Sequence, residues 1–277
     1  VNGNLSRWSN LSFGDMLKIS SNDPRGIWLG KRRYRGDLRV YVGNHQLQVV
    51  NHLRLERYLV SVVGSEMPKS WPIEALKAQA IAARTYALQQ LGKKRVYDII
   101  STEANQVYLG IESETTSTKR AVQSTRSLVL THKGKLIDAV FHSSSGGLTE
   151  ASGAVWKKQM PYLVSVPDYD QHSPSYSWQK RFNPEELEAV FSETGGVKSI
   201  KVLSTTRTGR ILKARIDGPR GELQLSGKEL RKRLSLKSTL ASFEMSPYQR
   251  VTKRRTRDMS STLLIRRVSA YKKQELD

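Results

Sequence analysis

Between residues 55 and 91 the apolar positions fall at helical spacing, in two runs separated by Met67-Pro68-Lys69-Ser70-Trp71-Pro72. In the first run Leu55, Leu59, Val62 and Glu66 are spaced by four, three and four residues, which places them on one face of a helix. A carboxylate therefore continues an apolar stripe at the helix's C-terminal end. Poor solvation and the negative end of the helix dipole both raise the pKa of an acid in that position. The connector breaks the first helix, and Pro72 suits the first turn of a second, where its missing N–H has no partner to lose. Ile73, Leu76, Ala80, Ala83, Ala87 and Leu91 form the second stripe, and its alanines allow a close neighbour.

Elsewhere the pattern predicts strands and short helices. Apolar residues flank a Gly43-Asn44 turn in 39–50, which reads as a hairpin with His45 and His52 beside it. Residues 115–126 read as a helix with Ala121 and Val122 inward. Residues 127–142 read as a second hairpin turning at Lys133-Gly134, whose last strand, 136–150, runs into Ser143-Ser144-Ser145-Gly146-Gly147. Small residues after a strand let backbone N–H groups face a ligand. An aromatic-rich loop, 154–178, carries Trp156, Tyr162, Tyr169, Tyr176 and Trp178, residues that either pack a long loop or stack on sugar rings or bases. Pro184, with two Glu in the first turn, opens a helix over 183–193; a β-meander over 199–225 and a basic helix over 227–234 follow. The expected fold is mixed α+β: a helical pair packed with hairpins and a meander. The expected organisation is a polar lead-in (1–27), one domain (28–245) and a basic tail (246–277).

Composition narrows the partners. The 277 residues carry a net charge of +21, which favours polyanions: nucleic acid, anionic lipid or acidic cell-wall polymer. Nine basic and three acidic residues lie in 250–277, so most of the excess is in the body. There are no cysteines, hence no disulfide, thiolate metal site or Cys nucleophile. No apolar run is long enough to span a membrane. The chain opens at Val1 with no basic-then-apolar leader, as a processed or partial chain would. Phosphate-cradling loops, HExxH, GxSxG and nucleic-acid-binding signatures are missing, so neither a metal, a cofactor nor a specific nucleic acid is expected.

Longer motifs add to this. Leu55-Glu56-x-Tyr58-Leu59, Glu66-Met67-Pro68, Ser70-Trp71-Pro72, Glu74-Ala75-Leu76-Lys77-Ala78-Gln79-Ala80 and Ala82-Ala83-Arg84-Thr85-Tyr86-Ala87 closely resemble the SpoIID/LytB family of cell-wall proteins. Gln106-Val107-Tyr108, Phe141-His142-Ser143-Ser144-Ser145-Gly146-Gly147-x-Thr149, Trp156 and Pro161-Tyr162-Leu163-x-Ser165-Val166 continue the likeness in order, over about residues 34–243. The wording is most similar to that of cyanobacterial members. The resemblance implies a peptidoglycan lytic transglycosylase of the cell envelope, periplasm or cell wall, with Glu66 as catalytic acid and Arg84 as a second functional residue. It implies substrate contacts from Tyr86, Gln106, Tyr108, His142, Ser144, Ser145, Gly146 and Trp156, and glycan strands, with a cell-wall amidase, as partners.

A lytic transglycosylase needs one carboxyl group, because no water is added. The acid protonates the oxygen between N-acetylmuramic acid and N-acetylglucosamine; as carboxylate it then takes the proton of the sugar's C6 hydroxyl, closing a 1,6-anhydro ring. Two departures from the family stand out. Ser145 occupies the place of a zinc-binding Cys found in some members, so no structural metal is expected. The family's Gly-His-Gly-Val-Gly-Met-Ser-Gln segment does not occur, and the tail in its place reads either as a genuine replacement or as the product of a truncated or shifted reading frame. The alternative functions are a non-catalytic peptidoglycan binder that enhances an amidase and, more distantly, a basic nucleic-acid-binding protein whose affinity falls steeply with salt.

Overall fold

The computed structural model describes residues 14–43, 46–92, 96–156, 158–247 and 261–267. The chain forms two compact units, Val1–Phe141 and His142–Asp277, a division that falls inside the stretch 28–245. Both helices and several small sheets are present, an α+β fold.

In the first unit β1 (Met16–Ile19), within the polar lead-in, pairs antiparallel with β4 (Asp37–Gly43). The short strands β2 (Ile27–Leu29) and β3 (Arg32–Tyr34) form a hairpin. Next come β4 (Asp37–Gly43) and β5 (Gln46–His52), paired from Asp37↔His52 to Gly43↔Gln46, the hairpin that the turn signal predicts. Asn44 and His45 lie outside the described residues.

The helices follow the apolar stripes. α1 (Leu55–Glu66) buries Leu59 and Val62 completely, with Leu55 and Glu66 partly buried at the two ends of the same stripe. α2 (Ile73–Gln90) buries Leu76, Ala80, Ala83 and Ala87, while Leu91, past its end, is exposed. Pro72 precedes the helix as its N-cap rather than entering its first turn. α3 (Thr116–Ser124) starts at a capping box on Thr115 and adds Ala121 and Val122 to the core. Gly64 of α1 sits against a one-turn 3₁₀ helix (Gly110–Ser113); a Cβ there would overlap the Ser113 carbonyl oxygen.

The second predicted hairpin is much shorter than its pattern. Only β6 (Thr131–His132) and β7 (Lys135–Leu136) pair, around Lys133 and Gly134, both with positive φ. The expected strand over 136–150 is otherwise irregular, and Gly146 and Gly147 within it take positive φ, 87° and 105°.

The second unit contains α4 (Ser152–Val155), β8 (Gln179–Phe182) and α5 (Pro184–Val190), the last capped by Asn183 and shorter than expected. The meander is present as β9 (Ser199–Thr205), β10 (Ile211–Gly218) and β11 (Gly221–Ser226), followed by α6 (Gly227–Arg233). A third sheet has the order β12 (Ser242–Pro247), β13 (Ser261–Arg266), β8. The central strand of that sheet comes from the basic tail. Leu263 and Ile265 are fully buried in the unit's core with Phe191, Ile216 and Leu230. Residues 248–260 and 268–277 of the tail lie outside the described residues.

Candidate functional site

Glu66 is the last residue of α1, where the helix carbonyls have no further intrahelical donors. Its Oε1 accepts a hydrogen bond from the Val107 N–H at 2.5 Å. Desolvation pushes its pKa above the usual carboxylate value; the Val107 bond opposes that shift and the charge of Glu103 reinforces it. An acid arranged in this way holds its proton to higher pH than a solvated glutamate does.

The segment that delivers Val107 is tied down at several points. Gln106, fully buried, donates to the Ala83 carbonyl (3.2 Å) and accepts from the Tyr58 hydroxyl (3.0 Å). The Tyr108 hydroxyl donates to Asn51 Oδ1 at 2.6 Å, and its ring packs on Tyr34 and Tyr58. The Ser65 hydroxyl accepts from Leu109 N–H at 3.3 Å. The Tyr86 hydroxyl accepts from Asn105 Nδ2 at 2.8 Å. Of the predicted site residues, Glu66, Tyr86, Gln106 and Tyr108 thus come together through the segment 99–109. Gln106 and Tyr108 brace that segment from the core. Glu103, exposed on it, is the neighbour that sequence reasoning missed; a lone acid in a polar connector carries no periodic signal.

Arg84 is placed differently. It is 1% exposed, and its guanidinium grips Glu56 in the first turn of α1 with two bonds, Nε–Oε1 at 2.8 Å and Nη2–Oε2 at 2.9 Å. The remaining donors reach the Val122 and Leu128 carbonyls, both at 3.2 Å, and Thr125 Oγ1. The fork is fully occupied by groups at the opposite end of α1 from Glu66. Arg84 ties α2 to α1 and to the end of α3. Breaking a buried pair strands its partner. Glu56 keeps partial exposure, so Arg84→Met is expected to cost about 3 kcal/mol, the low end for such a pair. Urea unfolding monitored on the isolated substitution measures this, with Arg84→Lys, which keeps charge but not the fork, recovering only part.

In the second unit, the predicted residues cluster around Asp170. Its carboxylate accepts from the Gly146 and Gly147 N–H groups, both at 2.9 Å, and from the Ser144 hydroxyl, which holds its pKa low against desolvation. The backbone donors that the sequence offers to a ligand are thus taken by the chain's own acid. Arg267 donates to Ser144 Oγ (2.9 Å) and the Ser175 carbonyl, and Arg210 donates to the carbonyls of Ser145 and Leu148. His142 is exposed. Trp156 is also exposed, at 49%. Among the described residues no three His, Asp or Glu converge as metal ligands, and no helix is long and apolar enough to cross a membrane.

Known proteins place this arrangement in context. A family model described as SpoIID, Stage II sporulation protein, matches residues 43–132, which include α1, α2 and the 99–109 segment. Stage II sporulation protein D of Bacillus subtilis (strain 168) is 34% identical over 217 residues, covering 71% of this chain and 62% of that protein. The amidase enhancer of the same organism is 41% identical over 130 residues, 47% of this chain and 17% of that protein. An uncharacterized protein of Brachyspira hyodysenteriae is 35% identical over 199 residues, 69% and 54% of the two chains. The chain therefore spans roughly half to three fifths of two of these relatives and under a fifth of the third. Together with the motifs laid out along α1, α2 and the Gln106–Tyr108 segment, these matches show that the chain belongs to the SpoIID/LytB family.

Proposed function

We propose that this protein acts on the cell wall as a peptidoglycan lytic transglycosylase, with Glu66 as the single acid and base. The observation that carries the reading is the environment of Glu66: a carboxyl group at a helix end, with its pKa raised by desolvation and one oxygen fixed by the Val107 N–H. Oε1 accepts that bond, leaving Oε2 to carry the proton. The protonated acid donates to the glycosidic oxygen as the bond to the muramic C1 breaks. The carboxylate left behind accepts the C6 hydroxyl proton, and the C6 oxygen closes on C1. The proton count balances with no water consumed, and the enzyme returns to its starting state. A raised pKa suits the first step, and the charge restored to Glu66 suits the second.

In this reading Arg84 is a positioning residue: it fixes the start of α1, at whose far end Glu66 sits. Tyr86, Gln106 and Tyr108 shape the wall around the acid, while His142 and Trp156, both exposed, are the second unit's substrate contacts. Ser144, Ser145 and Gly146 set the shape of their loop. The protein works in the cell envelope, and an amidase is its partner, as the name of the amidase enhancer relative suggests. The second reading, a non-catalytic enhancer, draws on that same relative.

Product analysis separates the two readings. Purified protein is incubated with peptidoglycan, intact and stripped of stem peptides, and the sugars are read by mass spectrometry. The transglycosylase yields 1,6-anhydromuramic ends. A folded protein that binds glycan and yields none, with or without an amidase, is an enhancer or binder.

A further inference from the structure

A cleft in the first unit runs along the free edge of β5. One wall is the consecutive run Gln48, Val49, Val50, Asn51, His52 and Leu53; the other is the run 96–101. The sheet order β1-β4-β5 leaves β5 at the edge, and among the described residues its outer backbone groups pair with nothing. Leu47 and Val49 on this strand are 65% and 38% exposed. A bare edge with apolar side chains invites unwanted strand pairing unless something covers it. Five of the chain's eleven tyrosines line this one cleft: Tyr34, Tyr41, Tyr58, Tyr97 and Tyr108. The hydroxyls of Tyr34, Tyr41 and Tyr97 have no partner among the described residues, nor does the buried Nε–H of Arg39, which also lines it.

We propose that this cleft is a remote glycan-binding subsite, holding the part of a peptidoglycan strand that extends beyond the sugars at Glu66. The proposal rests on the reading of Glu66 as the reacting acid. Proximity supports it. Tyr58 and Tyr108 line the cleft and also pack beside the segment 99–109 that fixes Glu66, and Ile99, Ile100 and Ser101 of that segment line the cleft as well. Tyr58 and Glu66 are eight residues apart on α1, about 12 Å along its axis, farther than a single sugar ring reaches. The chemistry selects a sugar over an extended peptide. A peptide added to β5 satisfies itself on the strand's backbone and needs few side-chain donors. An N-acetylated sugar presents an apolar ring face for tyrosine, an acetamido group for the free edge, and hydroxyls around its rim for Tyr34, Tyr41, Tyr97 and Arg39. Binding energy collected there, away from the reacting bond, can be used to hold the strand in register at Glu66.

The test measures binding without turnover, in the Glu66→Gln protein. Affinity is measured by calorimetry for purified peptide-free glycans of one disaccharide and of four. The long glycan is expected to bind at least about tenfold tighter, and Tyr41→Ala or Tyr97→Ala, added to Glu66→Gln, is expected to remove most of that advantage. Amide chemical shifts of the same Glu66→Gln protein report the location independently of any cleft substitution: the long glycan should move Gln48, Val50 and Ile100, and the disaccharide should not. A length advantage that survives both tyrosine substitutions overturns the proposal, as does displacement of the glycan by a free stem peptide. The two readings fail separately. Anhydro products with no length-dependent shifts along β5 would remove the subsite and keep the enzyme; shifts along β5 with no anhydro products would keep the subsite and remove the enzyme.

Discussion

Replacing Glu66 by glutamine is expected to abolish formation of 1,6-anhydro ends, by at least about 100-fold, while making the folded protein more stable at neutral pH. The first half follows from the proposed chemistry. Glutamine still accepts the Val107 N–H through its Oε1, so the local geometry survives, but it has no proton to donate and no charge to recover one. Loss of a positioned general acid costs about 10²–10⁴ in rate. The second half follows from linkage. Glu66 has a folded-state pKa above its unfolded value, so the folded state binds the proton more tightly. Its contribution to stability is therefore greatest at low pH, declines as pH rises through the unfolded pKa toward the folded one, and is flat and unfavourable above both. Removing the charge should raise the melting temperature at pH 7 and leave it nearly unchanged at pH 3. A glutamate serving only as a solvated or paired surface group gives neither result: activity persists, and stability does not rise. A substitution that lowers activity and raises stability marks a site where the fold carries an unfavourable group for its chemistry.

Much of this arrangement is legible before any coordinates. The stripe from Leu55 to Glu66 fixes which face of α1 meets the core, and so fixes that Glu66 ends half-buried there. The alanines of α2 announce close neighbours, which prove to be α1 and α3. Periodicity is a local signal, and these are local facts. What it misses is non-local. Arg84 and Glu56 are 28 residues apart, and a buried bidentate pair leaves the same mark on a sequence as two solvated charges. The same holds for Asp170, which reaches back 24 residues to occupy the Gly146 N–H. A glycine-rich loop advertises free backbone donors, but not whether the chain itself fills them. β1 escaped notice for a related reason: its four residues are mostly exposed and gain order from pairing with β4, not from a pattern of their own.

Removing residues 248–277 is expected to unfold the second unit. By its composition this tail is a basic appendage, and an appendage can be cut without consequence. The sheet order says otherwise. β13 lies between β12 and β8, so its loss takes both ladders of that sheet and leaves β8 and β12 without a partner. Leu263 and Ile265, each fully buried, pack with the Phe182, Leu187 and Phe191 side of the core. Truncating either to alanine removes buried methyl groups and leaves a cavity, at about 2–5 kcal/mol each. For a domain with a typical stability of about 5–15 kcal/mol, both together consume most of the margin. Arg267 adds its bonds to Ser144 and the Ser175 carbonyl, so the loop around Asp170 loosens as well. Arg266 is the control: it is exposed, and Arg266→Ala is expected to stay within about 0.5 kcal/mol. Limited proteolysis, with mapping of the cut sites, reads the outcome directly. Leu263→Ala/Ile265→Ala should open cleavage in 179–247 while α1 and α2 stay protected. If the double variant and the truncated chain both resist protease there as the full chain does, β13 contributes nothing to the second unit, and the tail is the appendage its composition suggests.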